Sequence, residues 1–95
     1  MSTETTASLS GETARTEATI RAVLAEHGHL GVDVDGVGAA DDLYAAGLTS
    51  HASVNVMLAL EDAFDVEFPD RMLRKSTFAS VSAIAEAVDE LKGQD

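Results

Sequence analysis

Ser50 has the clearest chemical opportunity in this chain. It leaves a glycine-containing stretch, Gly47-Leu48-Thr49, and opens an apolar run through Val54, Met57, Leu58, Leu60 and Phe64. That pattern puts a hydroxyl at the start of a helix, where the first backbone N–H groups lack intrahelical partners and the macrodipole is positive. An anion attached to the hydroxyl, such as a phosphodiester, would sit where anions are favoured. The competing reading is a plain N-cap, because Ser and Thr there accept a bond from the N2 or N3 amide. Taken alone, a Thr-Ser pair before an apolar run is more often only a cap. The residues around it have to decide.

Other candidates for chemistry are weaker. His51 follows Ser50 directly, but neighbours on a helix point about 100° apart, so the pair does not converge as a serine–histidine relay must. His27 and His29 flank Gly28 at a helix end. Their spacing does not put both on one face, and a helix-end position favourable to the dipole explains them better than a metal. Asp33-Val-Asp35-Gly-Val-Gly38 begins like a calcium loop. Counting from Asp33, however, Val37 falls where an oxygen ligand is needed and Tyr44 where a bidentate glutamate is needed. The glycines lack the lysine and spacing of a phosphate-cradling loop. Met57 and Met72 read as core filler or contact surface. There is no cysteine, so any thiol chemistry has to come from an attached group.

The elements that would position Ser50 are helical. Ile20, Val23, Leu24 and His27 recur at i, i+3, i+4 and i+7, which makes one face of a first helix ending near Gly28. A long connection follows, from Leu30 to Thr49, and a loop of that length in a small domain is usually functional. Leu30, Val32, Val34, Val37, Leu43 and Leu48 would pin it to the core, with a helical turn around Asp41 to Ala46. Gly47 stands where the chain must turn sharply, and glycine enters positive φ without steric cost. A second helix is expected from Ser50 to Phe64, Pro69 stops regular structure, and a short turn fits Asp70 to Lys75. Val81, Ile84, Val88 and Leu91 then mark a closing amphipathic helix, capped by Ser80 or Thr77 and stopped by Gly93. The expected core is Ile20, Leu24, Leu43, Val54, Leu58, Phe64, Val81, Ile84 and Val88. No alternating strand pattern appears, so the fold class is all-α: a four-helix bundle of three main helices and one short one.

The chain of 95 residues is the size of one small domain. Residues 1–12, rich in Ser, Thr and Glu, read as a mobile tail, and residues 13–93 as the domain. No apolar run is long enough to span a membrane and the start lacks the regions of a secretory signal, so a cytoplasmic location is expected. Seventeen acidic against six basic residues give a net charge of −11. Between Arg21 and Arg71 there is no Lys or Arg, and ten carboxylates fall in that interval. Such a surface repels nucleic acid and anionic lipid headgroups and would steer basic partners. Plain solubility is the bland explanation. The acids cluster around the Ser50 helix, which favours docking.

The pattern around Ser50 extends well beyond a cap. Asp42-Leu43 comes first, then Gly47-Leu48-x-Ser50, then Val54, Leu58, Leu60, Glu61 and Phe64, and it continues through Val66, Pro69-Asp70, Thr77 and Ile84. Over about two thirds of the chain this resembles an acyl carrier protein. The resemblance implies that Ser50 is esterified by 4′-phosphopantetheine, installed from coenzyme A by a separate phosphopantetheinyl transferase. It further implies that the chain is not an enzyme but holds cargo as a thioester on the arm. A cargo-loading ligase and a downstream acceptor enzyme would be its other partners.

Thr49 and His51 depart from the Asp and Leu that most such carriers place beside the serine, and Asn55 stands where many fatty-acid carriers have an acid. Gly47-Leu48 in place of Gly-Gly disfavours a nonribosomal-peptide module. These departures resemble the small stand-alone aminoacyl carrier proteins, charged by ligases similar to class II aminoacyl-tRNA synthetases. Fatty-acid, polyketide or other acyl cargo is the alternative, and an unmodified docking module a second one. Partners would approach the arm across the second helix, so Thr49, His51, Val56, Met57, Glu61, Asp62 and Asp65 are the expected docking residues.

Overall fold

A computed structural model describes residues 14–93; the segment read as a mobile tail lies outside them. Helix α1 covers residues 14–23 and continues into a π-helical turn at Leu24–Gly28. Helix α2 is Ser50–Phe64 and α3 is Val81–Gly93. Short 3-10 turns stand at Val34–Gly36, Asp70–Met72 and Lys75–Phe78. No strand occurs among the described residues, so the all-helical expectation is met. None of their helices is long and apolar enough to cross a membrane. The turn expected over Asp70 to Lys75 is present as Asp70–Met72, and those at Val34–Gly36 and Lys75–Phe78 were not foreseen.

Ile20, Leu24, Leu43, Val56, Leu60, Val81, Ile84 and Val88 are the fully buried centre. Six of the nine residues expected there are in place. The three exceptions all belong to α2: Val54 and Leu58 are 52% and 53% exposed, and Phe64 is only half-buried. The helix instead buries Ala52, Val56 and Leu60, at i, i+4 and i+8. Residues two apart on a helix point about 200° apart, so the 54–58 and 56–60 lines lie on nearly opposite faces. Both are apolar, so hydrophobic content alone cannot choose between them. The small side chain of Ala52 lets the start of α2 approach the core closely.

The long loop before α2 is held by polar bonds as much as by apolar pins. Arg21 reaches from α1 to donate to the carbonyls of Val34 at 2.8 Å and Val37 at 2.6 Å. The Leu43 amide donates to Ala79 O at 2.7 Å, and the Ser82 amide to Ala39 O at 2.9 Å, which ties the loop to the start of α3. Leu43, Leu48, Val34 and Val37 are buried as expected; Val32 is not, being 53% exposed. Gly47 has φ +119°, and a Cβ there would lie 2.8 Å from the Gly31 nitrogen. The turn into α2 thus needs glycine for both its dihedral and its clearance. Ser80, of the two residues offered as caps for α3, does the work, accepting from the Ala83 amide at 3.0 Å.

Candidate functional site

Thr49, not Ser50, caps α2: its Oγ1 accepts from the Ala52 amide at 3.0 Å and its backbone is extended. Ser50 is the first helical residue, exposed to solvent. The capping bond therefore makes no demand on the Ser50 hydroxyl. Ser53 Oγ donates to Ser50 O at 2.7 Å, a bond that leaves the Ser50 side chain itself untouched. The first turn holds no acidic side chain, so a phosphodiester at Ser50 would meet the positive end of the helix without a carboxylate beside it in that turn.

Beside Ser50 opens an apolar cleft of about 280 Å³. Ser50, Ser53, Val54 and Met57 of α2 form one wall; Leu73, Arg74, Lys75 and Phe78 form the other, with Tyr44 at one end. Tyr44 joins the two, since its hydroxyl donates to Lys75 O at 3.2 Å and Lys75 Nζ lies 4.7 Å from the ring centre. Partial burial raises the Tyr44 phenol above its ordinary pKa; the Ser53 hydroxyl alongside opposes this and the Asp42 carboxylate adds to it.

The expected docking residues divide. Thr49, His51, Asp62 and Asp65 are exposed, and Met57 is half-buried on the cleft wall. Val56 must be withdrawn: it is 0% exposed, inside the core, where no partner can reach it. Glu61 has a structural duty, its Oε2 accepting from the Phe68 amide at 2.8 Å and fixing the chain after α2. Asp65 closes the helix in the left-handed conformation, its amide donating to Glu61 O. Sequence reasoning missed Val54 and Leu58 as surface residues. Their spacing from Ser50, at i+4 and i+8, was the available signal. No group of three or more His, Cys, Asp or Glu is placed to hold a metal among the described residues.

In this all-helical bundle Ser50 stands exposed at the start of α2, with the capping bond made by its neighbour Thr49. A family described as "Phosphopantetheine attachment site" matches residues 18–88. The chain belongs to this family of carrier proteins, and the exposed Ser50 hydroxyl fits the phosphodiester-linked arm. It is 54% identical over 71 residues to an aminoacyl carrier protein of Agrobacterium fabrum, covering 75% of this chain and 86% of that one.

Among solved structures it resembles the carrier protein from Agrobacterium tumefaciens in complex with engineered Bradyrhizobium japonicum glycine:[carrier protein] ligase and ATP. That match has a TM-score of 0.77 at 51% identity, over 79% of this chain and 97% of the other. A crystal structure of the Bradyrhizobium japonicum ligase with glycylated carrier protein matches with a TM-score of 0.59 at 29% identity, over 79% and 96% of the chains.

Proposed function

We propose that this chain carries an aminoacyl group on a 4′-phosphopantetheine arm attached through Ser50, and that separate enzymes install the arm, load it and unload it in the cytoplasm. The observation that carries this reading is the division of labour at the head of α2, where Thr49 caps and Ser50 stands exposed. When bound, the arm supplies the thiol that a cysteine-free chain lacks. The chain's own residues do the rest. Gly47 sets the turn, Thr49 fixes the helix start, and the amides of the first turn would favour a phosphate held at Ser50. Among the described residues no side chain hydrogen-bonds the Ser50 hydroxyl as a base would, and its activation is assigned to a phosphopantetheinyl transferase. Tethering then raises the effective concentration of the cargo at each partner's site. The aminoacyl class, and a ligase similar to glycine:[carrier protein] ligase as the loading partner, rest on the likeness to the Agrobacterium carriers.

The docking surface is the exposed side of α2. Val54 and Leu58 form an apolar strip there, with Ser50 and His51 at one end and Asp62 and Asp65 at the other. Thr49 and Met57 flank it. Apolar area gives such a contact its affinity and the acids give it orientation and on-rate. The decisive experiment is intact-mass spectrometry of the chain after incubation with a broad-range transferase and coenzyme A. The wild type gains the mass of the arm, localised to Ser50 by fragmentation. Ser50→Ala gains nothing while keeping its helical circular dichroism. Attachment at Ser53, or an unmodified wild type, refutes the reading.

A further inference from the structure

The cleft beside Ser50 has an electrostatic character unlike the rest of this acidic chain. Three of its six cations, Arg71, Arg74 and Lys75, fall within five residues. Arg71 is engaged with Glu90 at 3.2 Å, whereas Arg74 and Lys75 line the cleft together with Ser50 and form no ion pair among the described residues. Its floor and rim are apolar, from Val54, Met57, Leu73 and Phe78, and the exposed Val54 and Leu73 lack full cover at 52% and 47% exposure. A group tethered at Ser50 is the natural occupant, because Ser50 itself lines the cleft.

We propose that this cleft sorts cargo by charge: it admits an arm that is unloaded or carries a neutral acyl group, and Arg74 and Lys75 exclude the α-ammonium of an aminoacyl group. Aminoacyl cargo is then held out in solvent, presented to an acceptor, while the same arm without the charge folds against the protein. The inference rests on the carrier reading and adds a selectivity to it.

Three physical reasons act in the same direction. An α-amino group has an ordinary pKa of about 7.7–8.0, so at neutral pH it is mostly a cation. Entering an apolar cleft would strip its water without supplying a carboxylate, since none lines the cleft among the described residues. Like charges at short range repel more strongly there than in bulk water. Lys75 already lies over the Tyr44 ring, which leaves Phe78 as the other aromatic side chain of the lining. Asp42, whose carboxylate acts on Tyr44, is not part of the lining.

Glycyl and propionyl groups test this sharply, because they are nearly isosteric and differ by the ammonium. Both can be placed on the protein as amide-linked pantetheine analogues, delivered from the matching coenzyme A analogues by a broad-range transferase. Intact mass reports attachment first; no added mass on wild type overturns the carrier reading and this one with it. Amide ¹H–¹⁵N spectra and nuclear Overhauser contacts then report position. The propionyl arm should shift the amides of Met57, Leu73 and Phe78 and give contacts to their side chains, and the glycyl arm should lose those contacts. In an Arg74→Gln, Lys75→Gln variant the glycyl arm should regain them. Equal contacts from both arms on wild type overturn the exclusion while leaving the carrier assignment intact. Contacts from neither arm overturn the cleft as the arm's resting place. Both of these readouts are independent of whether the double variant folds.

Discussion

Helices α2 and α3 come from the same small bundle, yet they differ in how they use apolar residues. In α3 the buried residues Val81, Ile84, Ala85, Val88 and Leu91 form one stripe, and Glu86, Asp89 and Glu90 stand outside it. In α2 one apolar line, Ala52, Val56 and Leu60, is buried, and a second, Val54 and Leu58, is exposed. A helix whose only task is to close the core shows one apolar face. A helix with two has a second task, and here the second face begins at Ser50.

The largest expected effect separates the two lines directly. Leu60→Ala should destabilise the domain by about 2–5 kcal/mol, as truncation of buried leucines does. Leu58→Ala should change stability by no more than about 0.5 kcal/mol. Chemical denaturation of the two variants checks this. Equal losses would mean that the 54–58 line is buried too, and the docking strip would disappear. In ligase charging the order should invert, with Leu58→Ala the more damaging of the two at temperatures where both are folded.

Gly47→Ala comes next. It forces a Cβ to within 2.8 Å of a backbone nitrogen and puts alanine at φ +119°. Strained backbone of this kind costs about 1–3 kcal/mol. The expected outcome is a lower melting temperature together with slower modification of Ser50, because the turn delivers that residue to its helix. A variant with unchanged stability and modification rate would show that the loop relaxes freely.

What was legible in the sequence follows the same division. The register of α3 could be read because its polar and apolar residues alternate with helical period. The register of α2 was harder to read, because the apolar run from Val56 to Leu60 crosses every face and only His51, Asn55 and Asp62, on one side, mark the solvent. Only the neighbours that α2 packs on decide which line is inside. Ser50 and Gly47 were legible through the local grammar of a tight turn before a helix. Arg21 bonding two loop carbonyls and the Lys75–Tyr44 contact were not, since both join segments distant in sequence through side chains of ordinary surface type.

A smaller effect is expected from charge at the far end of the strip. Replacing Asp62 and Asp65 with Asn should lower the apparent association rate with the charging ligase and flatten its salt dependence. Steering by exposed charges fades as the screening length shortens, from about 10 Å at 0.1 M to about 3 Å at 1 M. Charging by holo protein measured across that range checks it. Insensitivity to both salt and substitution would leave the apolar strip as the sole basis of docking.

The smallest effect concerns Tyr44, which belongs to neither line but lines the cleft between α2 and the Leu73–Phe78 segment. Burial raises its pKa, with the Ser53 hydroxyl opposing and Asp42 adding to the rise, so the folded state favours the neutral phenol. For an acid whose folded pKa exceeds its unfolded value of about 10, the unfolded state loses its proton first. The associated stability is fully present below about pH 10 and is lost as pH rises through the folded value. Denaturation midpoints should therefore be flat from neutral pH until near pH 10 as far as Tyr44 is concerned, and fall beyond it. In Tyr44→Phe that part of the fall should be absent, at the cost of the bond to Lys75 O even at neutral pH. Subtracting the two profiles isolates the residue from the lysines, which titrate in the same range. A difference that stays constant across the alkaline range would mean that the phenol is as free to ionise in the folded protein as in the unfolded chain, and that the cleft is wetter at this end than its lining suggests.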